Sequence, residues 1–364
     1  MVTLGTAAGG GGSIARIDVD SKGIKVGPES AGALPGPAAY DLGGVEPTLA
    51  DADLVLGYLD PDYFLGGRKK LTRDKAVNAV NSRIATGLGI TVEEAAWRTV
   101  QSSEDDVARQ IEKEIGGKGL KPGSLILFAF GGGGGLRCCS YASRLGISRV
   151  IVFSFNAVAS AFGASTMDIL HAYERPTRVM LKSADDKYIR TDWQTFNEAV
   201  AEMTASAERD MRAEGFSPEA LSFTLELGLR GAGGFHWIES PMIRLEKVTA
   251  AKSIGAQYAK MSGNSSGELR IERITLEAVC TTPHYQLPVY DDRGPDHRSA
   301  RKGIRDVFWG KGYLGTDIYE RDLLECGNRV EGPAVIESPD TTYVIPSGWS
   351  YTVDKYRNGI IELI

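Results

Sequence analysis

Five consecutive glycines, Gly131 to Gly135, stand between the apolar run Ser124 to Phe130 and the segment Leu136 to Leu145. An apolar run without alternation predicts a strand buried on both faces. Glycine permits positive φ and close backbone approach. A short helix over Leu136 to Leu145, then the apolar strand Arg149 to Phe153, completes the order strand, turn, helix, strand. That order is a βαβ unit of the doubly wound kind, which sets the fold class as α/β. The glycines offer either a flat backbone surface for adenine or ribose, or a tight strand–helix crossing. They are not a dinucleotide fingerprint, because G-x-G-x-x-G begun at Gly131 meets Leu136 where its last glycine belongs. Gly117-Lys118 is followed by Gly119, so there is no P-loop. Gly27 to Gly32 approaches a nucleophile elbow, but Pro28 stands at the first glycine, and Pro35 and Pro37 forbid the helix that should follow.

A second run, Gly9 to Gly12 with Ser13, precedes an alternating strand, Ser13 to Val19. It reads as a crowded turn or as a phosphate contact. Val26 to Pro37 is rich in Gly and Pro and is expected to lack regular structure. Thr48 to Leu59 opens a short helix with Asp51 and Asp53 near its positive end. Thr91 with Glu94 reads as a capping box for a helix carrying Ala95, Ala96, Val100, Val107, Ile111 and Ile115. Small residues from Ala157 to Ala164 start another helix, and a domain boundary is expected near 176–190. Beyond it, Trp193, Phe196, Val200, Met203, Ala207 and Met211 form one helical face. The remainder is β in character over 221–229, 269–279, 330–337, 342–345 and 360–364, with a mobile loop expected over Pro283 to Arg305.

A chain of 364 residues is long for one core, so two domains are expected. The net charge of −6 gives no pull toward nucleic acid. No apolar run approaches the roughly 20 residues of a membrane span, and the N-terminus lacks the pattern of a signal peptide, so a cytoplasmic protein is expected. Cys138, Cys139, Cys280 and Cys326 form neither a disulfide framework nor a C-x-x-C pair, and His171, His236, His284 and His297 show no metal-ligand spacing.

Several blocks, in order along the chain, resemble the hydantoinase A/oxoprolinase family. They are Gly9 to Ala15, Val26 to Ala33 with Pro35 to Ala38, Glu46-Pro47-Thr48 with Asp51-Ala52 and Leu54 to Gly57, and Phe130 to Gly132. Ser160 to Gly163, Glu331 to Glu337 and Pro346 to Trp349 complete the set. The resemblance implies half of an actin/hexokinase-like ATPase core over 1–180, carrying the adenosine-side glycine motif. A C-terminal mixed α/β domain is expected to follow over 181–364. It also implies activation of a carbonyl oxygen with ATP and Mg²⁺ or Mn²⁺, in hydrolysis of cyclic amides or carboxylation of ketones.

The family's two phosphate loops, Asp-Val-Gly-Gly-Thr and Gly-Gly-Thr-Ser-Thr-Asp, do not occur in this sequence. The resemblance therefore implies either a partner chain carrying the N-terminal half of the core, or a processed or truncated product, and it implies a hydantoinase B-like or carboxylase large subunit. Activity is not expected from the chain alone. The family commonly has Gly-Gly-Ala-Gly-Pro-Leu-His where this chain ends its glycines in Leu136-Arg137, so a fixed charge replaces a titratable ring. The candidate catalytic residues are Asp51 and Arg137. The candidate nucleotide-binding residues are Gly9, Gly10, Gly11, Gly12, Ser13, Gly131, Gly132, Gly133 and Gly134. The alternative is a catalytically silent scaffold that stabilises an active homologous subunit.

Overall fold

Alternation in β1 (Ser13–Ile17) turns Ser13 and Ala15 inward, and β2 (Ile24–Ser30) returns antiparallel beside it. The computed structural model describes residue 7 and residues 9–189, 193–246 and 248–364. Residues 1–6 of the expected ATPase core and Arg190, at the end of the expected boundary region, lie outside these. The β2 strand corrects the expectation of irregular structure from Val26. Pairing passes from Ala15–Val26 to Ser13–Ser30, so Gly27, Pro28 and Glu29 bulge out of the ladder. A bulge is where proline's missing N–H does no harm.

Next come α1 (Leu49–Val55), α2 (Arg73–Val80), a π turn leading into α3 (Thr86–Leu88), and the 26-residue α4 (Val92–Gly117). The expected capping box of α4 is half formed. Thr91 Oγ1 accepts from the Glu94 N–H at 3.2 Å, but the Glu94 carboxylate turns to Arg98 Nε at 2.7 Å. Leu49, Leu54, Leu56, Val80, Ile84, Ala95, Ala96 and Val100 form the core of this layer with Val307 and Val335.

The βαβ unit is present as β3 (Leu127–Ala129), α5 (Gly134–Leu145) and β4 (Arg149–Val152), with the two strands parallel. The expected strand from Ser124 to Phe130 is shorter, and it is not buried on both faces. Leu127 and Ala129 face the core, whereas Ile126, Phe128 and Phe130 are 45, 52 and 50% exposed. α6 (Ala159–Ser165) follows.

The chain then forms β5 (Ile169–Lys182), α7 (Trp193–Ala213), β6 (Leu221–Gly231), β7 (Gly234–Glu239), α8 (Val248–Ser262) and β8 (Leu269–Cys280). These strands make an antiparallel sheet in the order β5-β8-β6-β7. The α7 residues anticipated from helical spacing are buried. Trp193, Phe196, Val200 and Met203 share a core with Leu181, Leu225, Leu227, Ile271 and Leu276.

The last segment adds β9 (Arg301–Phe308), β10 (Tyr313–Glu320), β11 (Arg329–Glu331), β12 (Ala334–Glu337), β13 (Thr342–Ile345), β14 (Trp349–Val353) and β15 (Gly359–Leu363). They build one sheet β13-β12-β10-β9 and complete a second, β11-β14-β15-β4-β3. Compact packing thus divides the chain into Met1–Phe162 with Gln286–Ile364, and Gly163–Tyr285. The reason is β15, which pairs with β4 and makes the C-terminal strands part of the earlier sheet. The segment 286–297, expected to be mobile, has no regular structure but is held by backbone bonds. The N–H groups of Tyr290 and Arg293 donate to the carbonyls of Lys355 and Cys326, each at 2.8 Å, and β9 begins by Arg301. No helix among the described residues is long and apolar enough to cross a membrane.

Candidate functional site

The start of α1 organises the site. Thr48 caps the helix and Asp51 closes a capping box with it. The Asp51 carboxylate also accepts from Ala39 N–H at 2.7 Å, Ala38 N–H at 3.2 Å, Thr48 N–H at 2.9 Å and Thr48 Oγ1 at 2.8 Å. It is fully buried, and burial raises its pKa against the pull of these donors. Asp51 thus ties the 37–40 turn to α1, and it does not line the adjoining cavity.

Two residues on, Asp53 points elsewhere, because a two-residue step turns a helix by roughly 200°. It meets Arg137 of α5, whose Nη2 donates to both carboxylate oxygens at 2.9 and 2.7 Å. Both side chains are 1% exposed. Arg137 Nε and Nη1 are buried without a hydrogen-bond partner. Burial pushes the Asp53 carboxyl up while Arg137 pulls it back. Burial also opposes the Arg137 charge, but Asp53, Tyr141 and Glu104 hold its pKa above the usual value. The guanidinium is the more secure charge of the pair, since its ordinary pKa is so high. Such a pair is ionised at the expense of desolvation and is weak evidence for stability.

Asp53 and Arg137 line a cavity of about 240 Å³, and Gly11, Gly132 and Gly133 line it with them. The glycine runs divide by role. Gly131 needs its φ of +86° and donates to the Asn156 carbonyl at 2.8 Å. A Cβ on Gly135 would sit 2.6 Å from Tyr343 Cδ1 and 2.7 Å from the Thr342 carbonyl, so packing demands that glycine. Gly133 has open space where a Cβ would stand, and the nearest atom to a Cβ on Gly132 is the Asp340 carbonyl at 3.6 Å. In the first run, Gly12 is pressed against Ser30 Oγ, which a Cβ would meet at 2.9 Å. The Gly11 carbonyl accepts from Ala50 N–H at 2.8 Å, fixing the run to α1. Gly9, Gly10, Gly12, Ser13, Gly131 and Gly134 stand outside the lining.

Tyr40, Leu59, Tyr63, Phe64, Leu65, Leu136 and Pro339 supply apolar surface, and the 337–342 turn closes the far side. Thr341 Oγ1 donates to the Gly132 carbonyl at 3.2 Å, joining that turn to the glycines. Glu337 and Asp60 of the wall are paired with cations behind it. Buried Glu337 accepts from Lys302 Nζ at 2.9 Å and Arg305 Nη1 at 2.7 Å, and Arg305 also reaches Asp60 at 3.2 Å. Tyr63 donates to Glu320 at 2.7 Å beneath Lys302. Among the described residues no group of His, Cys, Asp or Glu is arranged to hold a metal.

Residues 1–173 match the hydantoinase/oxoprolinase family, and residues 183–363 match the hydantoinase/oxoprolinase C-terminal domain. The chain belongs to the hydantoinase/oxoprolinase family. It is 34% identical to the acetophenone carboxylase gamma subunit of Aromatoleum aromaticum, an alignment covering 100% of this chain and 51% of that protein. It is 30% identical to the caprolactamase subunit alpha of Pseudomonas jessenii, covering 97% and 51%. The nucleotide-free structure of acetone carboxylase, solved in work on ATP-dependent acetone carboxylation, superposes with a TM-score of 0.84 at 29% identity. That superposition covers 98% of this chain and 52% of the other. The chain spans about half the length of the curated relatives it matches. The mixed α/β architecture is that of these hydantoinase-type ATPases.

Sequence reasoning singled out Gly11, Gly132, Gly133 and Arg137, which the fold gathers around one cavity. It missed Asp53, although the second acid of Asp51-Ala52-Asp53 was the available signal. The 337–342 turn and the Tyr40, Tyr63 and Phe64 rings carried no signal, because only the returning C-terminal strands bring that turn to the hydantoinase-family glycines.

Proposed function

We propose that this chain is the adenosine-side part of an ATP-using subunit, in an assembly that carboxylates a ketone or hydrolyses a cyclic amide. The observation that carries the reading is the single cavity formed by Gly11, Gly132 and Gly133 beside the buried Asp53–Arg137 pair. At about 240 Å³ it is smaller than the roughly 300–1,000 Å³ of typical ligand pockets, which is consistent with its taking only part of a nucleotide. The floor of backbone without side chains lets a flat ring lie close, and Tyr40, Tyr63 and Phe64 give it apolar walls.

ATP bound in the complete assembly supplies the phosphoryl group that activates a carbonyl oxygen. This chain's residues bind and orient the adenosine end. Mg²⁺ or Mn²⁺ and the phosphates fall to a partner chain carrying the family's two phosphate loops, with a hydantoinase B-like or carboxylase large subunit completing the reaction. Arg137 acts from beneath the cavity lining as a fixed positive charge that holds Asp53. Asp51 acts at one remove, by holding α1 and the 37–40 turn in place.

Native mass spectrometry of the protein from its own source, with and without ATP and magnesium, tests the reading. Co-purification with a chain carrying both phosphate loops, and nucleotide bound to the complex, is the expected result. Ketone and cyclic-amide turnover by that complex then separates the branches. A stable monomer that takes up no nucleotide sinks the enzymatic reading. The scaffold reading draws on the burial of the Asp53–Arg137 pair, both side chains being 1% exposed, and a complex stable without any nucleotide site on this chain is its signature.

A further inference from the structure

The five-stranded sheet is covered on one face, while on the other its β3 end is exposed and the residues beyond it are half-buried. On the inner face Leu127, Ala129, Val150, Val152 and Ile361 pack in a core with α5 residues such as Cys139 and Ala142. On the outer face the register aligns Phe128 of β3 with Ile151 of β4, and Ile151 with Ile360 of β15. That row continues to Thr352 of β14 and Arg329 of β11, so it passes from apolar to polar across the sheet. Phe128 and Phe153 stack at 5.7 Å, and Phe153 and Phe155 at 5.8 Å, each pair within 3° of parallel. Phe128 is 52% exposed, and Ile126 and Phe130, which flank β3, are 45 and 50% exposed. β3 is the last strand of this sheet, with its outer edge unpaired among the described residues.

β3 and β4 are the parallel pair of an otherwise antiparallel sheet, and a contiguous exposed apolar patch such as theirs marks an interaction surface. An unpaired edge beside it is a template for another strand. The apolar end of the row lies at β3, so the missing cover sits at that end and not over Thr352 and Arg329. The relatives carry about as much chain again as this one spans.

We infer that the outer face of β3 and β4, with the free edge of β3, is the seat of the half of the family's chain that this chain does not span. That polypeptide lays an apolar surface on Phe128, Phe130, Ile151 and Phe153. The inference rests on the partner named under the proposed function, and it adds where that partner binds.

The test mixes the whole chain with a separately produced polypeptide comprising the unmatched half of the Aromatoleum acetophenone carboxylase gamma subunit. Hydrogen exchange and gel filtration follow the mixture. Expected is at least tenfold slower exchange over 126–130 and 150–155, with Phe128→Asp weakening association at least tenfold. Met242→Asp, on the other compact unit and 53% exposed, leaves association unchanged. Circular dichroism and thermal melting confirm that Phe128→Asp folds, as expected for a half-exposed position. Absence of association, protection confined to other segments, or unaltered association of Phe128→Asp overturns the inference. So does self-association of the chain alone that Phe128→Asp abolishes, since a second copy would then be the cover. ATP binding is read in the same mixture. Protection at β3 without nucleotide binding counts against the proposed function alone, and nucleotide binding without that protection counts against this inference alone.

Discussion

Two carboxylates lie two residues apart on α1 and live in opposite circumstances. Asp51 accepts four hydrogen bonds from three residues, and they tie the helix to one turn. Asp53 has a single partner, Arg137, and that partner keeps two nitrogens with no acceptor. The saturated group lies outside the cavity and the under-satisfied pair lines it. Buried polar groups are normally paired, so a polar group fully satisfied by its own chain has a structural job. One left short beside a cavity is where a ligand or partner is to be sought.

The comparison breaks most forcefully at Arg137. Arg137→Ala leaves the Asp53 carboxylate buried and alone, and is expected to destabilise the protein by about 3–5 kcal/mol in urea unfolding. The double variant Arg137→Met with Asp53→Leu is expected to recover most of that, because an apolar replacement removes both desolvation penalties. If the double variant also keeps full nucleotide affinity, the pair is structural and the contrast with Asp51 disappears.

Gly135→Ala comes next, at about 1–3 kcal/mol, since the new methyl meets Tyr343 and the Thr342 carbonyl. An unfolding midpoint equal to wild type would show that β13 yields there.

Asp51→Asn exchanges one acceptor oxygen for a donor, with an expected loss of about 1 kcal/mol. Its pH dependence is more telling. Burial raises the Asp51 pKa in the folded state, so its protonated form favours folding. That contribution is complete below the unfolded value of about 3.9 and is lost as pH rises through the raised folded value. Unfolding curves for wild type should therefore fall relative to Asp51→Asn as pH rises across that window. A difference that stays constant with pH contradicts the shift.

Gly133→Ala is the smallest in stability, within about 0.5 kcal/mol, because nothing stands where the methyl goes. Its effect belongs on ligand binding, measured by calorimetry. A loss of stability as large as that of Gly135→Ala would erase the division of the glycine run.

Much of this was legible in the sequence where local chemistry rules. The short helix opening in Thr48 to Leu59, the α7 face from Trp193 to Met211, and the β3–α5–β4 order all follow from short-range pattern. Three readings failed for reasons that no local pattern carries. Pro28 argues against a strand, yet a bulge absorbs it. The apolar run at Phe128 argues for burial on both faces, yet one face is bare in this chain. Asp51 outranked Asp53 because a capping position and a site position look alike in sequence. Only the long-range arrival of Arg137 separates them. The 337–342 turn reaches the cavity because β12 and β13 flank it, a consequence of pairing on which its residues are silent.

The most direct measurement titrates the chain with adenosine and with ATP, in parallel, by calorimetry, for wild type and for Gly133→Val. Gly133 lines the cavity, and a Cβ there meets no neighbour within 4 Å. The chain alone is expected to bind both ligands with similar affinity, because it engages only the adenosine end, and Gly133→Val is expected to weaken both at least tenfold. No adenosine binding by wild type, or binding untouched by Gly133→Val, would contradict the adenosine-side reading.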